Sequence, residues 1–413
     1  MTGPAGVTAA DSEKRPPAAG YRAALRVREF RLLAGAALIS LLGDTAAFLA
    51  TTVLVYQRTG SPMLAALVFA AAFVPHLLGG TLLAGLLDRL PPRRMLITAD
   101  LLGAALVAIV AVPGIPVVAV FGVLVILGIV APLRSGQAGA LVADMLPGDA
   151  YIAGRSLLRI SAQMAQVLGA AAGGALIAPL GPHGALLADA VTFLASATLI
   201  RIGVRYRSAR FKSTQSRARG VVADSLRGAA KVWRHARLRR LVLLGWAVPF
   251  IAVAPEALAA PAVHQAGRSA ATTGWWLTAI PAGMVVGDLI AVLALSAALR
   301  QRLLWPLAAA GPALMVAFFL QPPFPAQLAL LVGVGAASAY GLSLDRAVLD
   351  AAPPEVLSRT LVLSSTGLMV GQGLGFTAAG ATAELLTSTA TIGAAGIVGV
   401  AAVLILGARM NRR

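Results

Sequence analysis

The sequence contains no cysteine. Disulfides, iron–sulfur clusters and thiolate zinc sites are therefore excluded. It contains only three lysines, Lys14, Lys212 and Lys231, and none stands in a Gly-Lys-Ser/Thr context. That removes a phosphate-binding loop and with it a built-in ATPase. The four histidines are scattered and form no His-Glu-x-x-His pair, so no metal site is expected. No nucleophile–base set marks an intramembrane hydrolase, and no cofactor is expected. Charge is scarce as well. Only 12% of the 413 residues are charged, against about 25% in an ordinary soluble domain. Aromatic residues are sparse at 5%.

What is present is apolar and small. Hydrophobic residues make up 58% of the chain, and Ala, Leu, Val and Gly dominate. No soluble core needs this much apolar surface, so the excess must face lipid, where small residues let helix backbones approach closely. Apolar runs fall at 30–56, 63–87, 95–113, 115–138, 157–179, 183–204, 238–261, 274–299, 303–321, 325–346, 359–385 and 388–408. Each is long enough to cross a bilayer as a helix. The expected fold class is an all-α membrane protein of twelve transmembrane helices. Ahead of them, residues 1–28 form a polar, Pro-rich tail expected to be disordered, without the early apolar core of a cleaved signal peptide.

The net charge of +18 would suit nucleic acid, but its placement argues otherwise. With the N-terminus in the cytoplasm, 32 of the 34 Lys and Arg residues fall on the cytoplasmic side; the outer loops hold only Arg58 and Arg268. This asymmetry orients helices in a cytoplasmic membrane with both termini inside. Its expected partner is anionic lipid, not nucleic acid.

The connector 205–237 divides the chain into six-span halves, 29–204 and 238–408, with a short tail 409–413. Within it, Val222, Leu226, Ala229 and Trp233 recur at helical spacing among basic residues, which predicts an amphipathic helix on the cytoplasmic face. The halves repeat weakly. Arg155 and Arg359 open the fifth and eleventh spans, each with a Gly fourteen residues on, and Pro75 and Pro281 interrupt the second and eighth. Parallel six-span repeats suit an alternating-access transporter.

The stretch from Leu42 to Leu101, containing GLLDRLPPRR, resembles the major facilitator superfamily, closest to its multidrug, macrolide-efflux and enterobactin-exporter branch. The likeness extends over nearly the whole chain after residue 28. It implies two six-helix bundles, a monomer, and proton-coupled export of small amphipathic molecules such as a drug, antibiotic or siderophore-like metabolite. A uniporter or importer, or a sensor or scaffold without flux, are the alternatives. In the loop signature, Asp88, Arg89, Arg93 and Arg94 match by type, while Pro91 and Pro92 replace the inner Gly. The family's pattern would dock Asp88 on the start of the eleventh span as a cytoplasmic gate. Arg134 and Gln137 resemble an Arg-x-x-Gln element; Arg134 is read as a gate partner for Asp88 or as a snorkelling anchor near the inner membrane edge. Gly169, Gly173 and Gly174 resemble an antiporter motif without its Pro, or serve ordinary close packing.

Ionisable groups within spans are costly and hence functional suspects. Asp44, near the middle of the first span, leads as a proton-coupling group, with Asp288 in the eighth span in reserve and Glu256 in the seventh beside Pro255. Asp189 is read as structural and Asp100 as an interface or gate residue. His76, Gln163, Gln166 and Gln372 add polar lining; His76 is either a proton relay or a hydrogen-bonded structural group. The charge asymmetry predicts that reporter fusions at His264 and Thr214 give opposite sides, outside and inside. The same side for both would sink the twelve-span topology.

Overall fold

A stretch as apolar as residues 388–408 has one stable form in lipid: a helix that satisfies its own backbone. The computed structural model bears this out throughout the residues it describes, 17–71, 91–147, 149–207 and 233–408. Among these residues the regular structure is helical, and seven helices are long and apolar enough to cross a membrane. The first half comprises α1 (Pro17–Arg26), α2 (Arg28–Thr59), α3 (Pro62–Ala71), α4 (Pro92–Val110), α5 (Val117–Met145) and α6 (Asp149–Gly203). The second comprises α7 (Ala236–Ala252), α8 (Ala254–Ala257), α9 (Ala259–Gln265), α10 (Thr273–Ala294), α11 (Ala297–Arg302), α12 (Leu304–Val316), α13 (Phe324–Ala337), α14 (Tyr340–Ala351), α15 (Pro354–Ala383) and α16 (Ser388–Ala408).

Turn chemistry sets the boundaries. α2 ends at Gly60, whose φ of 65° lets its N–H close on the Tyr56 carbonyl. The 55-residue run of α6 is two helices, reversed at Gly181 with φ 66° and ψ 177°, so it supplies both the fifth and the sixth span. The seventh span is broken into α7, α8 and α9 around Val253 and Leu258, near Pro249, Pro255 and Pro261, whose missing N–H groups interrupt the ladder. The tenth is broken between α13 and α14 at Ser338–Ala339. The expected spans thus correspond to described helices, and the second begins as α3; its remainder lies outside the described residues.

One expectation needs amendment. Pro17–Arg26, placed in a disordered tail, is helical, and Ala24 is fully buried in a cluster with Phe30, Leu33 and Leu146. Trp233 meets Trp246 of α7 edge-on at 5.7 Å between ring centres. The rest of the expected interfacial helix, 222–232, lies outside the described residues.

Close backbone contact joins the helices. A Cβ on Gly169 would lie 2.7 Å from Thr45 Cβ, and one on Gly173 would lie 2.9 Å from Ala46 Cα, so the fifth span packs flat on the first. In the second half a Cβ on Gly287 would lie 2.6 Å from Ala336 Cα, where α10 crosses α13. The pairing of spans one with five and three with six recurs as seven with eleven and nine with twelve. That is the packing counterpart of the weak sequence repeat.

The two ends of the molecule differ. Near the chain termini the buried clusters are each built from one half: Phe30, Leu96, Leu141 and Ile200 in the first, Leu238, Leu304 and Leu344 in the second. At the far end one cluster draws on both, with Ala66 and Phe69 from α3 among Ile251, Trp276, Phe318 and Phe376. There Gly174 and Gly274 bring α6 and α10 into backbone contact, a Cβ on Gly174 lying 3.0 Å from Gly274 Cα. The halves are therefore sealed together at the far end.

This packing generates a paired prediction. Gly283→Ala, whose Cβ would lie 2.8 Å from the Val332 carbonyl carbon, should destabilise the protein in detergent by about 1–3 kcal/mol through overpacking. Gly122→Ala, with open space around it, should be neutral or stabilising by up to about 1 kcal/mol. Equal unfolding midpoints for the two variants would contradict the α10–α13 crossing.

Candidate functional site

Polar residues recur at helical spacing on the inner faces of three spans of the first half. On α2 they are Ser40, Asp44 and Thr51; on the sixth-span portion of α6, Asp189 and Ser196 share a face with Phe193 and Ile200. Asp100 stands on α4. These faces converge on Arg134 of α5. Its Nη1 lies 3.4 Å from Asp44 Oδ2, and its Nε lies 3.2 Å from Asp100 Oδ1. Its Nη2 donates to Ser40 Oγ, and its guanidinium carbon lies 5.1 Å from the centre of the Phe193 ring. Such a planar, permanently charged fork suits several partners at once.

Asp100 is 1% exposed, and its second oxygen accepts a 2.6 Å hydrogen bond from Ser196 Oγ. Asp189, also 1% exposed, accepts from Thr192 Oγ1 at 2.9 Å through Oδ1. Its Oδ2 has no hydrogen-bond partner among the described residues. It lines the same cavity as Asp44. Gly43 makes this approach possible, because a side chain there would collide with Asp189 and Thr192. Two carboxylates therefore pair with one guanidinium, with a third on the wall of the same cavity, in a setting where unpaired charge is expensive.

Two cavities meet at this cluster. One, of about 240 Å³, is lined by Asp44, Thr51, Val110, Leu124, Arg134 and Asp189 on the far-end side. The other, of about 770 Å³, lies toward the termini and is lined by Leu33, Ala37, Leu41, Asp44, Leu96, Asp100, Arg134, Arg155 and Ile200 among others. Asp44 and Arg134 line both, with Asp189 on one side and Asp100 on the other. The larger space is mostly hydrocarbon with a few charges, the lining that suits an amphipathic small molecule.

The arrangement revises the reading of several residues. Arg134 is turned inward onto Asp44 and Asp100, and α5 continues to Met145, about 16 Å along the axis beyond it. Asp189, read as structural, belongs to the cluster. The signals available for it were Gly43 beside Asp44 and the 4, 3, 4 spacing of Asp189, Phe193, Ser196 and Ile200. Arg93 donates to the Arg201 carbonyl and Arg94 stands over the Tyr206 ring, so both engage the end of the sixth span in their own half. Gln137 is 2% exposed on α5. Asp288 is half-buried on α10 and Glu256 half-buried on α8, and neither lines these two cavities. Gln163 and Gln166 are exposed on α6, and Gln372 is half-buried on α15. His76, Asp88 and Arg89 lie outside the described residues. Gly169, Gly173 and Gly174 are helix contact points, two against α2 and one against α10. No group of metal-ligating side chains occurs among the described residues.

Comparison with known proteins gives concordant results. A family profile described as Major Facilitator Superfamily matches residues 33–259. The Multidrug efflux pump Tap of Mycobacterium tuberculosis (strain ATCC 25618 / H37Rv) is 32% identical over 315 residues, 74% of this chain and 74% of that protein. The protein of the same name from Mycolicibacterium fortuitum is 29% identical over 315 residues, 74% of this chain and 76% of its own. A bacterial homologue of the iron transporter ferroportin, in an inward-facing state, matches with a TM-score of 0.69 over 94% of this chain and 99% of its own. At 16% identity that likeness is one of fold alone.

The cluster predicts strong energetic coupling. Arg134→Gln, which strands the paired Asp44 and Asp100, should cost about 3–5 kcal/mol of stability in detergent. Adding Asp100→Asn should restore part of it, with a coupling of about 0.5–3 kcal/mol in a double-mutant cycle. Strict additivity of the two substitutions would show that the pair does not interact.

Proposed function

The chain belongs to the major facilitator superfamily, and from that premise we propose that this transporter exports small amphipathic molecules in exchange for protons bound at the Arg134 cluster. The observation that carries the reading is the excess of carboxylates: Asp44 and Asp100 pair with one guanidinium between two cavities, and Asp189 lines the smaller cavity beside them. If all three are ionised, the group carries an uncompensated double negative charge away from bulk water, which favours uptake of protons or of a cationic ligand. The relatives named as multidrug efflux pumps support export and an amphipathic substrate range.

The proposed cycle uses Asp44 as the exchange point. A proton reaching it through the smaller cavity releases Arg134 to Asp100. Loss of that proton toward the termini side restores the Asp44–Arg134 pair. A cationic amphiphile in the larger cavity competes for the same carboxylate, so proton and ligand occupy the site in turn and their fluxes are linked. One charge crossing 100 mV supplies about 2.3 kcal/mol to the exchange. The 32-to-2 distribution of Lys and Arg supports a cytoplasmic-membrane location with both termini inside and anionic lipid at the basic loops. In that orientation the far-end seal faces outward and the larger cavity faces the cytoplasm. We retain the monomer as the working unit and Asp88 as the cytoplasmic gate acid.

Asp44→Asn tests the proposal, because it keeps the shape and most hydrogen bonding of the side chain but cannot titrate. In proteoliposomes with an imposed pH gradient, the variant should insert normally and bind uncharged ligands, yet lose uphill transport. Full uphill transport by the Asn variant would remove Asp44 as the coupling site.

A further inference from the structure

The two halves meet at the far end along a single face of α15. Phe376, Gly380 and Glu384 stand four residues apart, hence in one column on that helix and its C-cap. Phe376 stacks on Phe69 of α3, with ring centres 4.9 Å apart and planes 18° apart. One turn further, a Cβ on Gly380 would lie 2.6 Å from Ala66 Cβ and 3.0 Å from Met63 Cα, so the helices touch backbone to backbone. At the top of the column, Glu384 Oε1 accepts a short hydrogen bond from Ser61 Oγ and a 3.0 Å bond from the Met63 backbone N–H. Ser61 Oγ in turn accepts from the Leu64 N–H at 3.1 Å. A side chain from the second half thus completes the N-terminal cap of a span in the first.

Local physics does not favour an acid where Glu384 stands. It caps the C-terminus of α15, where the negative end of the helix dipole repels a carboxylate. The same carboxylate is favoured at the start of α3, where the first N–H groups lack partners within the helix and the dipole is positive. Only the cross-half contact reverses the sign of the interaction. An apolar or amide residue at this position would suit α15 better, so the acid is matched to α3.

We propose that Glu384 is a positioning residue for transport: its cap on α3 is a releasable latch that holds the far ends of the two halves closed and is given up when that end opens. The contact is suited to cycling. It consists of two hydrogen bonds at an exposed rim, and water can replace both when the helices separate. The dry Phe69–Phe376 stack and the Gly380 crossing beneath it supply the seal.

The absence of cysteine makes the test direct, since pairs of introduced cysteines can be spin-labelled in an otherwise wild-type chain. A far-end pair, Gln57→Cys with Leu385→Cys, and a termini-end pair, Ile202→Cys with Leu299→Cys, are exposed positions in opposite halves. In each background, Glu384→Gln should raise the population of a longer far-end distance about two- to fivefold. The termini-end pair should gain a shorter distance to the same degree. Ser61→Ala should shift both in the same directions, and Glu384→Asp, which keeps the charge, should lie between Glu384→Gln and the parent. Unchanged distributions would overturn the latch, as would broadening of both pairs without opposite shifts, the sign of general loosening. The inference rests on the transporter reading but not on its orientation. Labelling of Gln57→Cys by an impermeant maleimide only from the cytoplasmic side would reverse the orientation and leave the latch standing.

Discussion

A guanidinium inside a membrane-spanning bundle has to be neutralised where it stands, and the first half of this protein is arranged around that demand. Arg134 keeps its proton, and its side chain is turned inward among the neighbouring helices. It therefore gathers charge from neighbouring helices: Asp44 from the first span, Asp100 from the third, with Asp189 of the sixth close behind Asp44. Each acid is brought in by a permissive neighbour. Gly43 admits Asp189 to the backbone of α2, and Gly103 accepts the Phe193 ring that lies against Arg134, since a Cβ there would come within 2.7 Å of that ring. Helices that have no hydrophobic reason to associate in lipid are thus held by charge and by close backbone contact.

The arrangement does not balance, and the imbalance is what makes the cluster more than a staple. A structural ion pair in lipid is best built one to one, because each surplus charge carries its own desolvation cost. Here a second pairing partner and a third acid are added, and one oxygen of the third acid is left without a protein partner among the described residues. A group that must take up a positive charge to become neutral is a binding site for one. The position of Asp44 and Arg134 on the boundary of both cavities gives that charge a route on either side.

Much of the fold was legible because lipid leaves so few options. The final span, read from hydropathy as 388–408, is the helix Ser388–Ala408, and the Gly-Pro step at 181–182 is the reversal between the fifth and sixth spans. Depth was harder to read than existence. The fourth span was expected to end at 138, but α5 carries on through GALVADM to Met145, and Arg134 turns inward to Asp44 and Asp100. The place of Asp189 was hard to read for a related reason: the face it occupies points inward, and only the coincidence of Gly43 with Asp44 on another helix hints at the meeting. Glu384 had no signal at all, since its partners lie more than 320 residues away and a lone acid at a helix end reads as ordinary surface.

The contact of α3 with α15 explains why such interactions can matter to alternation. The two run antiparallel across the interface between halves, so at the far end the N-terminus of α3 stands beside the C-terminus of α15. An acid at a helix C-terminus is poorly placed for its own helix and well placed for its neighbour, which converts a local penalty into an inter-half attraction that exists only while the halves touch. Glu384 realises this at the far end, on the start of α3. Asp88, at the opposite end of the second span, is the proposed counterpart on the start of α15. If both acids act this way, neither closed state is favoured by the latches alone, because each state gains one cap and gives up the other. The balance between states is then free to be set by whatever occupies the Arg134 cluster, which is the condition a transporter needs if proton and ligand are to decide which way it faces.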